Sequence, residues 1–473
     1  MSNNLYNAII KSVGGRVSVY VIQFVFMAIY SRIFTPEEFG IVASIQVFII
    51  FFQMIADVGI GPAIINLKEI TNKERDGIFS FCFIVGCVLS VLFFLFSYLL
   101  NYFYDGYEYQ KIAIIISVSI IFNSLNIIPI TAYNKDARFI ELAWIDIFTE
   151  IICIVGVYCL YVFNFGVIAL VSKVFIQSIC KFFLLWFLSK STVIGRPVFG
   201  SELHHIKKIY KFASYQFAFN FINYFSRNLD NILVGKFLGM SLLGVYDKSY
   251  QLMRYPLLLT TFAMTPAIQP ILVKYQKNIT LIIEEHNKLI NKIFVMSILI
   301  GFFIYNNAYE IVVFMFGMQW TSVVPLIKVF AISIPVQSVL STSGSFFQVV
   351  DKTRYLFISG SISAFFNITA ILIGVYYSSL YLLASMLVIS FSVNFVFTYH
   401  ILFKYCFFSP IKSFYIKLFN AITFVSPVLF LYYFSSKFIP NNDFKLLSNI
   451  ILSIFILSIY YFCFNKKKVK QLF

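Results

Sequence analysis

Apolar runs of about 20 residues or more, broken by short polar turns, recur along the whole chain. Each is long enough to cross a bilayer as a helix. The pattern predicts spans at 12–33, 39–65, 77–101, 112–132, 140–162, 165–188, 210–235, 241–272, 290–308, 321–349, 355–376, 379–402, 415–436 and 446–464. The fold class is therefore an all-α polytopic membrane protein with about 14 transmembrane helices. Spans two, eight and ten are long enough to be tilted, kinked or extended beyond the bilayer. Pro256, Pro266 and Pro270 predict kinks in the eighth, and Pro325 and Pro335 in the tenth. The segment 278–290, NITLIIEEHNKLI, is amphipathic and is expected on the inner surface. The opening MSNNLYNAIIKSVGG lacks the short apolar core and small-residue cleavage site of a leader, so the first span is expected to be retained.

Loop charge sets the orientation. With the N-terminus inside, the inner segments and adjoining span ends hold 25 of the 36 lysines and arginines. Lys190, Arg196, Lys207, Lys208 and Lys211 cluster in one inner loop, and Lys466, Lys467, Lys468 and Lys470 form a basic tail. The outer segments hold Arg32, Lys111, Lys236, Lys437 and Lys445. Basic residues favour the cytoplasmic side, so both termini are expected there. The net charge of +16 reflects this topology and not nucleic-acid binding.

Arg32 to Ile64 and Lys236 to Ile268 are related by one ungapped offset of 204. Phe39-Gly40 falls on Leu243-Gly244, and Pro62-Ala63-Ile64 on Pro266-Ala267-Ile268. An internal repeat predicts two related halves with a site between them. The expected domains are a six-helix N-terminal lobe (1–190), a cytoplasmic linker (191–209), a six-helix C-terminal lobe (210–402) and two further helices with a basic tail (403–473). The lobes are expected to be pseudo-symmetric.

Only 12% of residues are charged, against about 25% in soluble proteins, and a charge at mid-bilayer needs a reason. The basic ones are Lys173, Lys181, Arg227, Lys248, Arg254 and Lys328, and Arg16 and Arg32 bracket the first span. The acidic ones are Asp57, Asp146, Glu150, Asp230 and Asp247. Asp146 and Glu150 are four apart on one helix face, Arg227 and Asp230 three apart, Asp247 and Arg254 seven apart. Two readings stand side by side. In one the charges are structural: they snorkel to an interface, as expected for Lys181, Lys236 and Lys328, or neutralise one another as helix glue; in the other they line a cavity. A cavity along spans one, two, seven and eight would lean cationic and suit an anionic ligand such as a phosphate. Candidate substrate contacts are Arg16, Arg32, Lys173, Arg227, Lys248 and Arg254. Candidate ion-coupling groups are Asp57, Asp146, Glu150 and Asp230, acting on protons or sodium.

No enzyme signal is present. There is no phosphate-binding glycine loop, and no part of the chain would fold as a soluble catalytic domain. His204, His205, His286 and His400 lack metal spacing and are expected mostly at surfaces or boundaries. The seven cysteines read as core filler. Gly14-Gly15 and Gly59-Ile60-Gly61 read as points of close helix packing. No cofactor or metal is expected.

SRIFTPEEFGIVA, then FFQMIADVGIGPAII and a polar turn with KEIT, resembles the oligosaccharide flippase (polysaccharide transporter) family. NLDNILVGKFLGMSLLGVYDKSYQLMRYPL at 228–257 is similar to a second region of that family. The resemblance is strongest over 10–75 and 210–275 and fades to hydropathy beyond about 400. It implies a member of the multidrug/oligosaccharidyl-lipid/polysaccharide exporter superfamily, with two six-helix lobes and two extra C-terminal helices. It implies a flippase moving undecaprenyl-diphosphate-linked oligosaccharide units to the outer leaflet of the bacterial inner membrane, for O-antigen (lipopolysaccharide), capsule or exopolysaccharide assembly. Alternating access, driven by an ion gradient as in an antiporter, would be the mechanism, with the chain acting as a monomer among membrane lipids and meeting polysaccharide polymerase machinery. The family has no universal catalytic motif. The competing readings are a multidrug/cation antiporter of the same superfamily, a lipid II flippase, and a membrane polysaccharide polymerase. A polymerase would normally need a sizeable outer loop, and the loop Asn164-Phe165-Gly166 is almost nothing.

Overall fold

The computed structural model describes residues 2–57, 59–67, 70–203, 224, 228–258, 261, 268, 272–440 and 444–463. Fifteen α-helices and no strand occur among them. Ten helical segments are long and apolar enough to cross a membrane, and Val17–Ile33 and Lys445–Ser458 are shorter apolar helices. The described residues thus do not establish the predicted count of 14. Most of the seventh predicted span, and most of the eighth beyond residue 258, lie outside them, with Arg227, Pro266 and Pro270. The chain forms two compact units, Met1–Gly244 and Val245–Phe473.

The first unit contains α1 (Ser2–Ile33), α2 (Pro36–Asp57), α3 (Ile60–Asn66), α4 (Asn72–Phe103), α5 (Tyr109–Lys135), α6 (Phe139–Val162) and α7 (Val167–Leu188). Residues 228–238 are helical, and α8 (Met240–Leu257) begins in this unit and ends in the next. The TPEE sequence is a helix start. Thr35 N–H and its hydroxyl donate to Glu38 Oε2 at 2.8 and 3.0 Å, and Glu38 N–H donates back to Thr35 Oγ1 at 3.3 Å. This is a capping box, with Pro36 at the first helical position where its missing N–H costs nothing. Thr71 and Glu74 repeat the device at α4. Thr35→Ala is expected to cost about 0.5–2 kcal/mol, visible as a lower midpoint of thermal denaturation in detergent.

The second predicted span is not one helix. The helix α2 is described to Asp57, and Gly59, with φ 77°, is the N-cap of α3. A side chain is strained in that left-handed region, so glycine fits there. Lys135 donates to the carbonyls of Ile64 (3.2 Å) and Leu67 (2.7 Å) at the end of α3. Gly15 does pack closely, since a Cβ there would meet Ala143 Cβ at 3.2 Å. Gly14 has open space around it.

Part of the predicted linker is strapped to this unit. Arg75 is buried and donates to Ile194 O at 2.9 Å, and Asp76 accepts from Val198 N–H at 3.0 Å. Arg196 lies over the Trp186 ring, and Phe199 packs on Phe79 and Phe83. Arg138 donates to Ser191 Oγ at 2.7 Å. Its hydrogen bonds to the Glu141 carboxylate hold its guanidinium above the ordinary arginine pKa.

The second unit continues α8 and adds α9 (Ile279–Asn306), α10 (Ala308–Phe316), α11 (Val324–Val349), α12 (Thr353–Tyr376), α13 (Leu380–Ile401), α14 (Lys412–Ser436) and α15 (Lys445–Cys463). The amphipathic segment expected on the inner surface forms the first turns of α9, in one helix with the span. Asn278 caps it by accepting from Leu281 N–H at 3.2 Å, and its apolar face buries Ile282 and Ile290. His286 is an exception to the reading of most histidines as surface or boundary residues, and His400 is exposed. His286 is fully buried, ringed by Phe346, Tyr399, Phe403, Phe407 and Phe414, with Nδ1 3.1 Å from Asn287 Oδ1. Its place is the core of this unit, where five rings offset the cost of desolvating an imidazole. The helix α11 runs through Pro335 as one element. Asn307 joins α14 and α15 by donating to Tyr432 OH (2.7 Å) and accepting from Asn449 (2.6 Å), and Lys445 pairs with Glu310 at 2.7 Å.

Candidate functional site

The membrane charges separate into paired and exposed groups. On α6, Asp146 and Glu150 face α7. Lys181 Nζ donates to Asp146 Oδ1 at 2.6 Å, and Lys173 Nζ lies 3.1 Å from Glu150 Oε2. Glu150 is 1% exposed, whereas the Lys173 side chain keeps 28% exposure. The Lys173–Glu150 approach has the distance of an ion pair without hydrogen-bond geometry, and Oε2 makes no hydrogen bond among the described residues. The Lys173 ammonium also lies over the Tyr30 ring of α1, 5.4 Å from its centroid. Cys153 Sγ donates to the Lys173 carbonyl at 3.7 Å. Three helices thus meet at one buried carboxylate, whose charge Lys173 offsets inside the low-dielectric core.

The other candidates are dispersed. Asp57 ends α2, and its Oδ1 accepts from Gly61 N–H at 3.5 Å. Asp230 is 7% exposed and accepts from Asn231 N–H at 2.9 Å. Lys248 is 1% exposed, its ammonium 5.9 Å from the centroids of both Phe316 and Trp320. Asp247 accepts from Gln251 Nε2 at 2.6 Å. Arg32, in the last turn of α1, and Arg254, in the last turn of α8, are exposed. The side chain of Arg16 and the whole of Arg227 lie outside the described residues. The structure therefore brings together Glu150 with Lys173 and Asp146 with Lys181, and it adds Tyr30, which carried no sequence signal beyond being aromatic. Among the described residues no group of three metal-ligating side chains converges.

In the second unit, α9, α14 and α15 enclose an apolar groove of about 220 Å³, lined by Leu299, Phe302, Phe303, Val428, Tyr432 and Ile456 among others.

The described residues form a multi-pass helical bundle with paired charges inside its helices. The chain belongs to the polysaccharide biosynthesis protein family, whose model matches residues 29–325. It is 25% identical over 331 residues to the teichuronic acid biosynthesis protein TuaB of Bacillus subtilis (strain 168), covering 69% of this chain and 67% of that one. Its fold is that of a solved lipid II flippase, MurJ, in an inward closed conformation. That likeness covers 99% of both chains, at a TM-score of 0.70 and 18% identity. A multidrug resistance MATE family transporter of the MOP superfamily, solved outward-facing, has a TM-score of 0.57 at 13% identity. It covers 83% of this chain and 93% of its own.

Proposed function

We propose that the protein is a flippase for polyprenyl-diphosphate-linked oligosaccharide units, carrying them from the inner to the outer leaflet of the bacterial inner membrane for surface polysaccharide assembly. The observation that carries this reading is the family membership joined to a fold likeness, over 99% of both chains, to a lipid II flippase. A lipid-linked substrate asks for an apolar route for the tail and cations for the diphosphate. Arg254 and Arg32 are the exposed cations in the described part of the candidate set and are the leading diphosphate contacts. Lys248 is enclosed by aromatic rings and Lys173 is engaged with Glu150, so each enters the site only after its surroundings rearrange. Arg16 and Arg227 stay in the proposed set. Asp57, Asp146, Glu150 and Asp230 are the proposed groups for coupling to a proton or sodium gradient. The proposed lobes keep the bounds 1–190, 210–402 and 403–473, and both termini face the cytoplasm.

Deletion of the gene tests this in cells. Complete lipid-linked repeat units should accumulate facing the cytoplasm, and surface polymer should be lost. Units that reach the outer leaflet but stay unpolymerised would point to a polymerase. No change in lipid or polymer, with other flippases removed, would move the reading to multidrug export.

A further inference from the structure

One stretch of the second unit carries cations and no acids. Between Asp351 and Asp443 the sequence holds no aspartate or glutamate, yet it holds Lys352, Arg354, Lys404, Lys412, Lys417 and Lys437. Within this stretch α13 runs into a π-helical turn, Leu402–Phe407, that leads to the start of α14. Such wide turns are frequent at functional positions. Phe408 ends the turn in the left-handed region, with φ 50°, and Ser409 N–H donates to Phe403 O at 3.1 Å. The reversal leaves an open notch of about 460 Å³, lined by His400, Phe403, Lys404, Phe408, Ser409 and Pro410 among others.

The floor of the notch is apolar, since Phe403 is buried against His286, Phe407 and Phe414. The rim is charged. Lys404 is exposed, with its ammonium 5.2 Å from the centroid of the Tyr405 ring. That ring stacks on Tyr355 of α12, at 5.1 Å and 9°. Aromatic rings position the cation without neutralising it. His400, also exposed, brings a ring N–H donor, and Ser409 a hydroxyl. Lys412 opens α14, whose first turn holds no acidic residue, so the positive end of the helix dipole adds to the field. Phe408 is exposed, and so is Phe397, one turn before His400 on α13. Both α13 and α14 are long and apolar enough to cross a membrane, so the notch between them lies at a membrane boundary. A soluble anion would meet the same cations but would gain nothing from Phe397 and Phe408.

We infer that this notch is a binding site for the phosphate headgroup of an anionic membrane phospholipid, whose acyl chains lie along Phe408 and Phe397. The site needs the chain to span a membrane, and it stands whether or not the protein is a flippase. In the proposed orientation the notch faces the cytoplasmic leaflet, whose anionic lipids attract basic residues beside a span.

The delipidated full-length protein in neutral detergent is titrated with phosphatidylglycerol or with zwitterionic phosphatidylethanolamine, and bound lipid is read by native mass spectrometry. Phosphatidylglycerol should bind the more tightly. Lys404→Gln should weaken it about fivefold, the share of one lysine near a charged lipid surface, and leave phosphatidylethanolamine unchanged. Lys404→Arg should keep the parental affinity. Lys288→Gln, at a lysine already paired with Glu284 and Glu285, should change neither lipid. If Lys404→Gln does not accumulate, His400→Gln on the same rim serves, with a loss expected for phosphatidylglycerol alone. No loss in the rim variant, or equal losses in it and Lys288→Gln, would overturn the site, the latter because affinity would then follow net charge. Inorganic phosphate that displaces the lipid as effectively as phosphatidylglycerol itself would assign the notch to a soluble anion. Undecaprenyl diphosphate that outcompetes phosphatidylglycerol, and does so less well in Lys404→Gln, would assign it to the transported lipid. Either result overturns the phospholipid site.

Discussion

Lys173→Met is expected to destabilise the first unit by about 3 kcal/mol, the lower end of what removing one partner of a buried ion pair costs. The lower end applies because the lysine is partly exposed while Glu150, at 1% exposure, stays behind with no counter-charge. Glu150→Gln combined with Lys173→Met should recover most of the loss, since neither charge then remains to be offset. The pair Asp146–Lys181 supplies the contrast. Both of its side chains keep over a fifth of their exposure, so Lys181→Met should cost about 1 kcal/mol or less. Thermal denaturation of the parent and the three variants in one detergent checks the order. A Lys173→Met protein as stable as the parent would show that the close approach contributes nothing.

Arg254→Ala is expected to abolish surface polysaccharide while the protein stays in the membrane at parental level. Arg254 is exposed at the end of α8, so its loss should leave little packing disturbed and should act through the substrate. Arg254→Lys should retain part of the function, since an ammonium keeps the charge but loses the planar fork that grips a diphosphate. Cell-surface polymer measured beside membrane protein level checks both variants. Normal polymer in Arg254→Ala would remove this arginine from the site.

The helical nature of the chain and most span positions were legible because a bilayer crossing demands a long apolar run with internally satisfied backbone. The TPEEFG stretch was legible as a family motif, yet its physical meaning needed the structure. Thr35, Pro36 and Glu38 start the helix, and Gly40 lets another backbone touch it. Asp146 and Glu150 could be placed on one face from their spacing alone. Their partners could not, because Lys173 and Lys181 reach them only through the packing of α6 on α7. Sequence reasoning gave Lys173 and Glu150 separate roles, one toward substrate and one toward ions, and the fold puts them at a single contact. The length of span two allowed a kink, but its place at Gly59 escaped because the residues around it are apolar enough to continue the span. His286 escaped because a lone histidine says nothing about the five rings that later enclose it.

The central claim is translocation of a lipid-linked sugar, and purified protein in liposomes tests it most directly. A polyprenyl-diphosphate oligosaccharide is placed in both leaflets, and an impermeant sugar-modifying reagent is added outside. With the protein present, modification should pass from about half of the lipid to nearly all of it within the assay, and Arg254→Ala should stay near half. Modification that stops near half with the native protein, in liposomes tested with and without proton and sodium gradients, would contradict the account.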